Sequence, residues 1–187
     1  QSRKNSHHIR STVKGILVGR NTAEQDNPSL TVRLTNNELG LGKGEIIQQP
    51  VKIILGNLKR SKKVSNIFTG NSEVIVGSSQ SAKKSKNVEY LKYKKKNFLE
   101  EFLQDLLDRN ISSILVEGGQ KTLNAFLVNN LFDELVLYTA PMFLGKESKD
   151  AISVKGPDKI KASLKLQMMG VEKFKDDIKT TYYNKDI

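Results

Sequence analysis

Ile114-Leu-Val-Glu-Gly-Gly-Gln-Lys-Thr-Leu-Asn124 is the stretch on which the fold turns. A short β-rich apolar run ends at Val116, an acid follows, and two glycines turn the chain into a helical pattern. Gly118 and Gly119 let backbone approach a ligand closely, and the free N–H groups of the next helix favour an anion. In an open α/β sheet ligands bind beyond the carboxyl ends of the strands, which is where this turn lies. The plainer alternative is a Gly-Gly turn with a solvated Glu117.

Working outward, Val18-Gly19-Arg20-Asn21-Thr22 has the same layout: the apolar run Gly15-Ile-Leu-Val-Gly19 leads into a short helix over 21–26. Thr22 either donates to a phosphate or caps that helix. Asp26-Asn27-Pro28 also reads as an ordinary turn. Leu30 to Arg33 reads as extended, with Arg33 a phosphate clamp or an exposed cation. Pro50 to Leu55 is a strand with β-branched residues behind a proline. Ile67–Thr69 and Val74–Val76 read as short strands, or as one strand and its return. Phe98, Leu99, Phe102, Leu103, Leu106 and Leu107 fall at helical spacing and form a core stripe.

Strands follow at 111–116 and 134–140, a helix over 120–129, and extended stretches near 164–168 and 178–183. Helices between strands predict one α/β domain with a mostly parallel central sheet flanked by helices. No internal repeat and no linker divides the 187 residues.

The chain has no cysteine and two histidines, His7 and His8. Disulfides, zinc ribbons, iron–sulfur clusters and thiol catalysis are excluded, and no metal site is expected. As sequence neighbours, His7 and His8 point to different sides of a helix. Gln1–Arg10 is too polar for a secretory signal, and no apolar run approaches membrane-span length, so a cytoplasmic location is the expectation. Gly40-Leu-Gly-Lys-Gly44 is neither a P-loop nor a dinucleotide fingerprint. Asp105 and Asp108 read as solvated acids on a polar helix face.

The net charge of +11 is localised: residues 43–96 carry 12 lysines and Arg60 against three acids, a balance of +10 that leaves +1 elsewhere. Lysine outnumbers arginine 25 to 6, whereas base-edge readout favours arginine. Residues 56–96 are read as a basic variable region, giving nonspecific polyanion attraction at low salt and no specific nucleic-acid function.

Together, Ile9-Arg10, Gly15–Gly19 with Thr22, Asp26-Asn-Pro-Ser-Leu-Thr-Val-Arg33, Gln49–Leu55, Ile114–Gly119 and Leu131–Pro141 with Leu144-Gly145 resemble the reductase domain of the riboflavin-pathway deaminase–reductase family. The resemblance covers residues 9–145 in the family's order. It implies a dihydrofolate-reductase-like fold and NADPH-dependent reduction of the ribosyl group of 5-amino-6-(5-phosphoribosylamino)uracil to ribityl. It also implies cofactor contacts at Thr22, Asp26, Asn57, Gly119, Gln120, Lys121, Thr122, Leu123, Asn124 and Ala125. Substrate contacts are implied at Arg10, Leu30, Arg33 and Glu117, with Glu117 catalytic, and a homodimer is the expected assembly. The family's first strand, with its Lys-x-Ala-x-Ser-Leu-Asp-Gly type motif, would lie upstream of Gln1, so the segment reads as N-terminally truncated. The family's zinc deaminase half is not in this sequence and would precede it in a longer chain. The rival readings are a reductase of the same fold for another pterin or pyrimidine, and a basic nucleic-acid-binding module.

Overall fold

The computed structural model describes residues 1–58, 66–80, 87–93, 98–156 and 158–185. The basic clusters at 59–63, 83–86 and 94–96 lie outside the described residues. The chain divides into two compact units, Ser6–Thr122 and Gln1–Asn5 with Leu123–Ile187.

The Ser6–Thr122 unit is built on a parallel sheet. Its strands are β1 (Gly15–Gly19), β2 (Val51–Leu55), β3 (Val74–Ser78), β4 (Val88–Lys92) and β5 (Ile114–Val116), in the order β4-β3-β2-β1-β5. Every pairing is parallel. Strands β1 and β3 are buried along their whole length, which is why they read as unbroken apolar runs. In-register pairing puts Ile16, Val18, Ile54, Val74 and Val76 on one face, where they join Ala23, Leu30 and Ile67 in a buried cluster. Ala23 comes from α2 (Arg20–Asp26), which follows β1 directly and ends at Asn27 with φ 43°.

The other face meets α3 (Phe98–Asp108). A Cβ on Gly77 would come 2.7 Å from the Phe102 ring, so the helix approaches β3 as closely as glycine permits. Phe102 also packs edge-on against Tyr93, whose hydroxyl donates to Asp105 at 2.5 Å. Asp105 is therefore a partner of Tyr93 and not a solvated acid. Burial and that carboxylate push the Tyr93 phenol above its ordinary value.

Three local expectations are corrected. Residues 66–68 form a 3-10 turn instead of a strand. Lys52, 1% exposed, donates from Nζ to the carbonyls of Ile67 and Thr69 at 2.9 Å each, taking up acceptors that a ladder would need. Strand β4 was hidden by its charges: Val88 and Tyr90 pack toward the core while Glu89 and Lys92 interrupt the pattern. Leu30 is not extended, with φ 49°, and residues 31–33 join no sheet.

Side chains serve that stretch in place of a neighbouring strand. The Gln49 amide accepts from Val32 N at 2.9 Å and donates to Val32 O at 3.2 Å.

The unit of Gln1–Asn5 and Leu123–Ile187 has an antiparallel sheet of β6 (Glu134–Thr139), β7 (Leu166–Phe174) and β8 (Asp177–Asn184), in the order β6-β8-β7. Lys175, φ 60°, lies in the β7–β8 turn. Cross-strand register puts Met168, Val171 and Ile178 on one face, and all three are exposed.

The two remaining helices are α1 (Ser2–Thr12) and α4 (Gln120–Val128). Among the described residues no helix is long and apolar enough to cross a membrane.

Candidate functional site

Parallel strands deliver their carboxyl ends to one edge of a sheet, so the turns after β1 and β5 are neighbours. Leu17 of β1 pairs with Val116 of β5, and the Glu117 N–H continues that ladder to Leu17 O at 2.9 Å. Glu117 is thus fixed through its backbone at the last rung, with its side chain free to take a partner.

The partner is Arg10, near the end of α1. Its Nε donates to Glu117 Oε1 at 2.6 Å and its Nη2 to Oε2 at 2.5 Å, a fork-to-fork pair. The two side chains are 13% and 25% exposed. Arg10 Nη1 also donates to Thr31 O at 3.0 Å. The bidentate edge of Arg10, a substrate contact by the resemblance, is therefore occupied by Glu117.

Arg33 is exposed, and its main-chain N–H donates to His7 Nδ1 at 3.2 Å. His7 sits one helical turn before Arg10 on the same side of α1. Burial, then the Arg10 and Arg33 guanidinium groups, lower its pKa below 6.5, against smaller opposing effects of Glu117 and the Thr31 backbone. Sequence reasoning missed His7, treating it only as the neighbour of His8. The available signal was its i, i+3 spacing to Arg10.

The other half of the site lies between the two turns. Thr22 Oγ1 accepts from the Gly119 N–H at 2.9 Å, tying α2 to the glycine turn after β5. Having accepted there, the Thr22 hydroxyl keeps its own proton to donate. A Cβ on Gly19 would overlap the Thr122 hydroxyl, and one on Gly118 would come 2.9 Å from Thr122 Cβ. Glycine is thus required at both turns for their close approach. Gly119 is exposed, with only the Thr22 hydroxyl near its missing Cβ, so its surface is open to a ligand. Glycine turns, a helix start and a hydroxyl donor form a donor set that fits the phosphate groups of a dinucleotide.

The remaining predicted positions are distributed as follows. Asp26 is exposed at the last residue of α2. The Leu30 side chain is 1% exposed within the core, leaving only its backbone to face a ligand. Asn57 follows β2 and exchanges hydrogen bonds with Ser79 after β3, both at 3.0 Å. Gln120 and Lys121 open α4, Lys121 being exposed and Thr122 buried. Leu123, Asn124 and Ala125 belong to the other unit, where the Asn124 amide donates to Ser153 O and accepts from Ser153 N.

Comparison with known proteins bears on the family and the fold. Riboflavin biosynthesis protein RibD of Aquifex aeolicus is 34% identical over 184 residues, covering 95% of this chain and 48% of that protein. The 5-amino-6-(5-phosphoribosylamino)uracil reductase of Buchnera aphidicola is 29% identical over 188 residues, covering 96% of this chain and 90% of that protein. The RibD structure from Acinetobacter baumannii superposes with a TM-score of 0.82 at 23% identity, over 98% of this chain and 50% of that one. The chain thus spans about half the length of several relatives and nearly all of another. The RibD C-terminal domain family model matches residues 1–180, and the chain belongs to that family.

Proposed function

We propose that the chain is an NADPH-dependent reductase of riboflavin biosynthesis, converting the ribosyl group of 5-amino-6-(5-phosphoribosylamino)uracil to ribityl. The observation that carries this reading is the pairing of two different half-sites at adjacent strand ends. One is the Thr22–Gly119 lock, and the other is the Glu117–Arg10 clasp beside Arg33. The name of the Buchnera aphidicola relative favours the same substrate.

Bound NADPH would supply the hydride that reduces C1 of the substrate's open-chain imine, whose nitrogen would take up a proton from solvent. Thr22, Gly119 and the start of α4 hold the cofactor phosphates. Asp26, Asn57 and the 120–125 segment complete the cofactor contacts. Arg33 takes the substrate phosphate, and the Leu30 backbone lines the same cleft. Glu117, oriented by Arg10, accepts hydrogen bonds from the ribose hydroxyls and so fixes C1 for attack.

Residues 1–187 act in this reading as one reductase domain in the cytoplasm. A zinc deaminase half in a longer chain is supported by the half-length coverage of several relatives. A homodimer is supported by the exposed apolar face of Met168, Val171 and Ile178, and sedimentation of a monomer at micromolar concentration would remove it.

The deciding experiment titrates the purified chain with NADPH, NADH and a short DNA duplex at about 150 mM salt, near physiological screening. Saturable NADPH binding, weaker for NADH and lost in Thr22→Val or Gly119→Val, is the expected result. A folded chain that binds DNA tightly and no nicotinamide overturns the reading.

A further inference from the structure

The segment bearing Arg33 has an unusual support. Residues 31–33 lie in no sheet, yet four of their backbone polar groups are bound, each by a side chain: Thr31 O by Arg10, Val32 N and O by Gln49, and Arg33 N by His7. A buried or half-buried backbone must satisfy its polar groups, and here α1 and Gln49 take the place of a neighbouring strand. Arg10 is itself anchored by Glu117. His7 is the only one of the three supports able to change its hydrogen-bonding character between pH 5 and 8.

The Arg33 N–H is a donor, so the Nδ1 it reaches must be unprotonated. In the neutral ring one nitrogen accepts and the other donates, whereas in the imidazolium both donate. Protonation at Nδ1 would set two donors against each other at 3.2 Å. It would also add a cation beside two others. The charged groups facing His7 are Arg10 on its own helix, Arg33 on the stretch it holds and Glu117 after β5, with the Thr31 backbone alongside.

We propose that His7 is a positioning residue: through its Nδ1 it holds the Arg33 backbone in place, so that Arg33 is presented to the anionic group of the substrate only while the imidazole is neutral. This rests on the reading of the chain as a phosphoribosyl-pyrimidine reductase. His7 does not touch the reacting atoms in this assignment. It acts on affinity, leaving the hydride step to groups at the strand ends. The burial and guanidinium effects that lower its pKa keep it neutral at pH 7, which suits an acceptor.

The test is steady-state kinetics of 5-amino-6-(5-phosphoribosylamino)uracil reduction from pH 5.5 to 8.5 for the wild type, His7→Asn and His7→Ala. Asparagine offers an amide oxygen in place of Nδ1 but does not titrate. In the wild type KM should rise as pH falls below 6.5 while kcat stays level. His7→Ala should raise KM about tenfold at neutral and alkaline pH, roughly the loss of one charge-assisted contact, and converge with the wild type as pH falls. His7→Asn should recover most of that loss and remove the acid rise attributable to the imidazole. The substrate phosphate, with its second pKa near about 6, titrates in all three proteins and cancels in the comparison.

An acid limb in His7→Asn equal to that of the wild type, or a wild-type KM in His7→Ala at neutral pH, overturns the proposal. So does a loss confined to kcat. A second measurement needs no turnover: nitrogen chemical shifts of the His7 ring and the amide shift of Arg33 are followed over the same pH range. The two should move together with one midpoint, and independent titration would refute the link. A wild type that shows this coupling but no reductase activity would refute the proposed reaction while leaving the His7–Arg33 contact established.

Discussion

The two sheets of this protein solve the same problem in opposite ways. In β1 and β3 of the parallel sheet every residue is buried, and the polar interest of each strand is pushed beyond its carboxyl end. In β7 of the antiparallel sheet the middle of the strand is largely exposed, and charged residues sit along it. Their ion pairs differ accordingly. Glu117 meets Arg10 through two hydrogen bonds and is 25% exposed, whereas Glu172 meets Lys179 through one contact at 2.7 Å and is 54% exposed. A parallel sheet covered on both faces has only its ends to offer to a ligand, and there the Glu117 carboxylate is held by two hydrogen bonds.

The sharpest way to break the comparison is to neutralise each acid. In the proposed reductase, Glu117→Gln should lower kcat/KM by about 100-fold or more, the scale of losing a positioned catalytic group. It should also destabilise the fold by about 1–3 kcal/mol, because Arg10 stays half-buried with a weaker partner. Glu172→Gln should leave turnover alone and shift stability by less than about 1 kcal/mol. Denaturation and initial-rate measurements on both variants check this. Near-normal turnover in Glu117→Gln would remove the role given to that residue.

A smaller effect separates the sheets by packing. Gly77→Ala in β3 drives a methyl group to within 2.7–2.9 Å of the Phe102 ring, whose other neighbours are Tyr93 and Phe98. Overpacking of this kind costs about 1–3 kcal/mol. Gly170→Ala in β7 meets nothing within 4 Å and needs no left-handed backbone, so it should be neutral or slightly stabilising. Equal losses in the two variants would show that the faces are not packed as differently as their exposure indicates.

What could be read from sequence follows the same division. Apolar runs gave away β1, β2 and β3, because burial on both sheet faces leaves little room for other residue types, and an apolar stripe at helical spacing gave away α3. The edge strand β4 escaped notice because its Val88 and Tyr90 alternate with charges over only five residues. The stretch 31–33 looked like a strand by composition and is not one, since its partners are side chains 17 to 26 positions away. Glu117, Thr22 and Gly119 were marked by their place at strand ends. That Arg10 would spend its fork on Glu117, and that His7 would hold Arg33, depends on α1 lying beside those ends, which local pattern does not encode. Antiparallel pairing of β6, β7 and β8 was equally invisible, as extended stretches carry no mark of the partner they choose.

The least conspicuous difference concerns Lys52, among the described residues the one charged side chain buried in the parallel sheet's core face. Burial lowers its pKa below the ordinary 10.5. Between its folded and unfolded pKa values the unfolded chain then binds more protons, so this group makes stability rise with pH up to about 10.5. Below the folded value the contribution no longer changes with pH. Tyr93 acts in the other direction: its raised phenol keeps its proton in the folded state and loses stability as pH climbs beyond 10.0. Comparing the wild type with Lys52→Met cancels the tyrosine, along with the pH-independent cost of stripping donors from Ile67 O and Thr69 O. Urea denaturation from pH 7 to 10.5 should find the wild type gaining on the variant across the alkaline part of the range. A constant gap between them would mean that the two carbonyl bonds compensate the buried ammonium fully, and that the buried face of β2 holds a charge without strain.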